Sequence, residues 1–144
     1  MAEQNFKNHG RLVPMFHYVA FTAALFPLVI TAIHFFKSIG DESGRLHAAA
    51  MLSLVVAVIL GLWYARFFAL RAQDRGIRAE ENLRHFIATG KPFDSRLTMR
   101  QIIGLRFAGD DEFVALAKQA VDENMSQKQI KMAVKNWKAD NDRA

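Results

Sequence analysis

The sequence predicts an all-α protein: a two-helix transmembrane hairpin, followed by a long helix and a small three-helix cytoplasmic module. Three observations predict it. Two uncharged apolar stretches, residues 15–36 and 46–65, each match the about 20 helical residues that a bilayer core takes to cross. The C-terminal half is polar, and its apolar residues recur at helical spacing. Capping signals cut that half into short helices. The mean hydropathy of +0.02 looks soluble only because an apolar first half is averaged with a charged second half. The chain divides into residues 1–14, an interfacial or cytoplasmic segment; 15–70, the hairpin, with spans at about 15–36 and 46–68; 71–92, a membrane-proximal helix and linker; and 93–144, the module.

Residues 1–14 are polar, with turn formers at Asn5, Asn8 and Gly10 and with Pro14 suited to the first turn of a helix. Phe6 and Leu12 are expected to rest on the membrane surface. Pro27, near the middle of the first span, removes one backbone hydrogen bond and crowds the preceding turn, which predicts a kink over residues 23–27. In the second span Ala49, Ser53, Ala57, Gly61, Ala65 and Ala69 recur every fourth residue. That spacing makes a groove of small side chains into which another helix can pack closely in lipid. The helix it receives is either the first span, through Ala20, Ala23 and Ala24, or the same groove on a second copy. Trp63, Tyr64, Phe67 and Phe68 suit the inner headgroup boundary, with Arg66 snorkelling a short way inward.

Beyond residue 70 the helix is expected to continue to Ala88 and to stop at Gly90 and Pro92. Thr98 caps a helix over residues 99–107, Asp110 or Asp111 caps one over 112–123, and Ser126 with Gln129 forms a capping box for 127–139. The module's core is expected from Ile102, Ile103, Leu105 and Phe107, from Phe113, Leu116, Ala117 and Val121, and from Ile130, Ala133, Val134 and Trp137.

Charge sets the orientation. Lys7 and Arg11 precede the first span, and Arg66, Arg71, Arg75 and Arg78 follow the second, whereas Lys37 and Arg45 in the loop are balanced by Asp41 and Glu42. Positive residues near span ends stay in the cytoplasm, so both termini are expected there, in the inner membrane of a bacterium. The first span, an apolar stretch of 22 residues, exceeds the 7–15 of a cleaved signal segment. With no cysteine, disulfides and thiolate metal sites are excluded.

Three stretches carry a family likeness: Gln4-Asn5-Phe6-Lys7-Asn8-His9 with Leu12-Val13-Pro14; the run from Leu97-Thr98-Met99-Arg100-Gln101 through Ile102-Ile103-Gly104-Leu105-Arg106-Phe107-Ala108; and Gln127-Lys128-Gln129-Ile130-Lys131 through Asn136-Trp137. Together they resemble a family of small bacterial two-span membrane proteins of unknown function, over essentially the whole chain. Phe6 departs from the tyrosine common at its position. The resemblance implies a bacterial membrane protein and transfers no functional residue.

His34 and His47 lie at the outer ends of the two spans, where a hairpin brings them to similar depth. Two imidazoles so placed can share a metal or flank a haem; the blander reading, and the preferred one, leaves each in the wet interface or bonded to a backbone carbonyl. No cofactor and no metal is therefore expected. His17 and Tyr64 are expected to pair near the inner boundary. Neither span holds Asp or Glu, which disfavours a proton or ion pathway. In the module, Lys128, Lys131, Lys135 and Lys138 fall along one side of the last expected helix, a surface for contact with phosphates or anionic lipid. A membrane-tethered nucleic-acid binder of helix-turn-helix type is the alternative reading. Against it stand 14 basic and 11 acidic residues from Arg71 onward, a small excess. No nucleophile beside a base, phosphate-cradling loop or metal set is present, so no enzyme is expected. The expected function is a non-enzymatic anchor or accessory subunit in the bilayer, in which Ala57 and Gly61 pack helices and Trp137 and Phe113 build a module that docks a protein partner or a second copy.

Overall fold

The computed structural model describes residues 5–8, 10 and 13–140. Leu12 falls outside the described residues. Five helices carry the described chain, which contains no strand: α1 (Met15–Lys37), α2 (Glu42–Thr89), α3 (Met99–Leu105), α4 (Asp110–Asp122) and α5 (Gln127–Ala133). Two compact units arise from them, Arg11–Phe68 and Ala69–Ala144, the latter grouped with Met1–Gly10; the division falls inside α2.

In the first unit, α1 and α2 are each long and apolar enough to cross a membrane, and protein covers only 6% of either apolar window. Hydroxyls within them bond backwards along their own helix: Thr31 Oγ1 donates to the Pro27 carbonyl at 2.7 Å, and Ser53 Oγ to that of Ala49 at 2.5 Å. Such bonds leave these two hydroxyls without need of water in an apolar solvent. Pro27 does not interrupt the helix: the α assignment runs from Phe21 to Lys37, preceded by a π-helical stretch over Met15–Ala20. One missing donor does not break a helix whose other bonds are intact. Helix α2 begins before the apolar run, since the Asp41 carboxylate accepts the Gly44 N–H at 3.0 Å and so caps it.

The small-residue groove is open within the chain. Ser53, Ala57, Gly61 and Ala65 are exposed, and nothing outside its own helix lies within 4 Å of where a Cβ on Gly61 would stand. The less exposed side of the span is Ala48, Leu52, Val55, Ile59, Leu62 and Arg66. The first span therefore does not fill the groove, because the larger aliphatic side chains face inward. Nor do His17 and Tyr64 pair: His17 Nδ1 lies 2.9 Å from the Val13 carbonyl oxygen, and Tyr64 packs against the Phe67 and Phe68 rings. A backbone partner one turn away is met before a distant phenol.

The second unit is an ordinary aqueous core. Leu105, Phe107, Phe113 and Ile130 are fully buried, with Ile102, Leu116, Ala117 and Val134 around them and Trp137 stacked 5.1 Å from Phe107. Ile77 of α2 joins this core, so residues 71–92 are part of the folded unit as well as a link to it. Gly90, at φ +72, ends α2 in the left-handed region that favours glycine. Helix α4 ends in a Schellman turn: Met125 N–H donates to Ala120 O at 3.0 Å and Asn124 N–H to Val121 O at 3.2 Å, with Asn124 left-handed at φ 48. Capping boxes at Thr98 with Gln101 and at Ser126 with Gln129 start α3 and α5.

Two expected boundaries are corrected. Gly109, not Asp110 or Asp111, is the N-cap of α4, and the two acids lie inside its first turn, where they complement the helix dipole. The last helix stops at Ala133 rather than 139. Val134 is extended, and Trp137 bridges antiparallel to Ala108, with Gly109 N–H donating to Asn136 O and Lys138 N–H to Phe107 O, both at 2.8 Å. The Glu112 carboxylate holds the turn by accepting the N–H groups of Lys135 and Asn136 at 3.0 and 2.9 Å. Those donors are satisfied without continuing the helix.

Candidate functional site

Where the last turns of α2 meet the module, Arg84 is the hub. Its Nε donates to Asp110 at 2.7 Å, one terminal nitrogen to the Ala108 carbonyl at 2.8 Å, and the other to Glu81 at 3.1 Å, while the guanidinium lies 4.0 Å over the Phe113 ring. A planar, always-charged fork suits this mixture of carboxylate, carbonyl and aromatic partners. Glu81 is buried beside it, and the hydrogen bond from Arg84 holds the Asp110 carboxyl below the usual carboxylate range, helped by the same cation's charge. On either side of Arg84 in the sequence, Asn82 Oδ1 accepts the Phe93 N–H at 2.8 Å and the His85 ring packs 4.8 Å from Phe93. The connection after α2 is thereby pinned back onto it.

Two clefts flank this junction. The larger, about 470 Å³, has apolar walls from Phe93, Leu97, Val114, Ala117 and Val121, with Asp94 and Arg96 at its edge. Arg96 donates to Asp94 at 2.7 Å and, with its backbone N–H, holds the Asp94 carboxyl down to about 2. Such a space suits an apolar side chain entering beside a charged rim. The smaller cleft, about 360 Å³, is polar and lined by Gln73, Glu80, Glu81, Arg106, Lys138 and Asp140. Its buried cation is held by Asp140, 2.9 Å from Arg106.

The profile of a family of unknown function, DUF6526, matches residues 1–144. The chain belongs to DUF6526. No curated protein and no solved structure matches it.

In this DUF6526 chain, the residues singled out by sequence are scattered. His34 and His47 are both exposed, and among the described residues no group of three or more His, Asp or Glu side chains is placed to hold a metal. The lysine stripe is dispersed because α5 is short: Lys128 is exposed on the helix, Lys131 lies with its ammonium 5.0 Å over the Phe107 ring, and Lys135 and Lys138 sit beyond the helix in the bridged segment. Trp137 and Phe113 take their expected core places. Sequence reasoning missed Arg84 with its Asp110 and Ala108 partners, Glu112 and the Arg106–Asp140 pair, whose partners lie at sequence separations no local pattern reports; it also missed Glu81, although its bond to Arg84 has i, i+3 spacing. Gln101 was within reach, since Thr98 and Gln101 have capping-box spacing. Beyond the box, its amide nitrogen donates to the Ala120 and Met125 carbonyls at 3.1 and 3.0 Å, tying α3 to the end of α4.

Proposed function

We propose that the chain is an integral anchor and adaptor of the bacterial inner membrane, without catalysis of its own, whose helical module binds a protein partner in the cytoplasm. The observation that carries this reading is α2. It is one helix, apolar enough to span a bilayer in its first half and joined in its last turns to the module core through Ile77, Asn82 and Arg84. A module so attached stays at the membrane surface whatever it binds. The two spans form a hairpin in this reading, supported by the short connection over residues 38–41 and by the Arg66 guanidinium 5.7 Å over the Phe16 ring. The positive residues flanking the spans support cytoplasmic termini. Paired ions in the polar cleft, and an apolar cleft with a charged rim, support a surface for recognition rather than reaction.

The test is purification of the full chain from native membranes after crosslinking in living cells, beside a variant carrying Val114→Glu and Val121→Glu at the apolar cleft. A protein retained by the wild type and lost from the folded variant supports the adaptor reading. An identical set of partners for both contradicts it. A fluorescent reporter fused to the C terminus is expected to be active in the cytoplasm; activity of an alkaline phosphatase fusion there instead would contradict the orientation.

A further inference from the structure

One face of the last turns of α2 is apolar and exposed among the described residues. Leu83, Phe86 and Ile87 are 58, 51 and 76% exposed in a segment that the aqueous module leaves uncovered on this side. The face extends back toward the membrane: Ala69, Ala72, Gly76, Ala79, Leu83 and Phe86 alternate at spacings of three and four, which is the a and d pattern of a left-handed coiled coil. All are exposed, and nothing outside its own helix lies within 4 Å of a Cβ built on Gly76. The residues by which α2 holds its own module fall elsewhere on the wheel. Ile77 and Arg84 are at b and Glu81 at f, facing away from the seam, and Asn82, which accepts the Phe93 N–H, lies at g on its edge, so among the described residues the a and d positions themselves hold no contact with the module.

We propose that this seam receives α2 of a second copy of the chain, in parallel and in register, forming a two-stranded coiled coil over residues 69–87. Charge identifies the occupant. In this register Arg75 occupies g and Glu80 the following e, the two positions that meet across a parallel dimer, and two-fold symmetry makes the pair twice. Both side chains are exposed, and among the described residues neither enters an ion pair within its own chain. The parallel orientation rests on the membrane reading above, because two copies inserted alike present α2 in the same direction and at the same depth. Small residues at 69, 72, 76 and 79 let the backbones approach closely, and Leu83 and Phe86 then fill the wider end. A glycine inside a long helix costs helical stability, and close approach of a partner backbone accounts for Gly76 where its own chain does not.

The chain has no cysteine, so single cysteines can be introduced into the full-length protein without removing any. In native membranes Ala79→Cys, Leu83→Cys and Phe86→Cys are each expected to link to their counterpart through a short bis-maleimide, and Arg78→Cys, exposed at c, to link several-fold less. Arg75→Glu or Glu80→Arg alone should lower linking at position 83 about fivefold, the size expected when two exposed ion pairs are lost together. The double charge swap should restore it. Equal linking at 78 and 83, or no linking at 79, 83 and 86 while all three cysteines react with a monofunctional maleimide, would overturn the dimer, as would single reversals without effect. Alkaline carbonate extraction of the same membranes reads insertion separately. Release of the chain would sink the membrane reading and with it the parallel orientation, whereas a retained chain that fails to link sinks the seam alone.

Discussion

The two units solve opposite solvent problems with the same secondary structure. In Arg11–Phe68 most apolar side chains point outward and the Thr22, Thr31, Ser38 and Ser53 hydroxyls bond within their own helix; in Ala69–Ala144 an apolar core points inward and polar groups are satisfied between elements, as with Gln101, Glu112 and Arg84. The first pattern needs no long-range partner and is stable only where the solvent is apolar. The second is stable only in water, where burying Phe107 or Ile130 is favourable. Helix α2 belongs to both, and its character changes where the division falls.

The sharpest way to break this contrast is to truncate matched residues in each unit. Phe107→Ala, at a fully buried site, should cost the module about 3–5 kcal/mol and make it protease-sensitive in membranes. Leu54→Ala, 59% exposed in the span, should leave proteolysis of the module unchanged. Equal sensitivity of the two would remove the distinction between the units. Next in size, Gln101→Leu strands the Met125 carbonyl and the Thr98 N–H, whereas the Ala120 carbonyl keeps the Met125 N–H, which predicts a loss of about 2–3 kcal/mol, read as a lowered Tm of the detergent-solubilised protein.

A smaller effect is expected at Gly104, where a Cβ would meet Ile130 Cβ and Cγ2 at 3.1 Å. Ile130 is fully buried and cannot withdraw, so Gly104→Ala should destabilise by about 1–2 kcal/mol even though alanine is the better helix former. A raised Tm would mean that α3 and α5 part more readily than this packing implies. Smallest of all is the acid dependence. Asp94 is lowered to about 2 by Arg96, and Asp110 is lowered by Arg84, so both favour the folded state above the ordinary carboxylate pKa of about 3.9. That contribution is lost as pH falls through the folded values. The Asp94 carboxyl should titrate near 2 by NMR and return to the ordinary range in Arg96→Gln; an ordinary midpoint in the wild type would show that the pair does not persist in solution.

Legibility followed the range of the forces. The two long apolar helices could be read from sequence because each is a continuous run, and the capping boxes at Thr98 and Ser126, the stop at Gly90 and most of the core because each depends on residues within one or two turns. The last helix was read too long because Val134 and Trp137 continue the apolar spacing of Ile130 and Ala133. What ends it is Glu112, more than twenty residues away, together with the bridge between Ala108 and Trp137. Arg84 was invisible for the same reason, its Asp110 partner being 26 residues distant. The small-residue groove was visible as a pattern, but which of two helices fills it depends on the bulk of Leu52, Val55 and Ile59 on the neighbouring face.

Central to the account is that α1 and α2 cross a bilayer and leave the module in the cytoplasm. Labelling with a membrane-impermeant maleimide tests this most directly, using Gly40→Cys between the helices and Lys128→Cys on the module. In intact spheroplasts Gly40→Cys should label and Lys128→Cys should not, with both labelling after lysis. Labelling of both before lysis, or of Lys128→Cys alone, would contradict it.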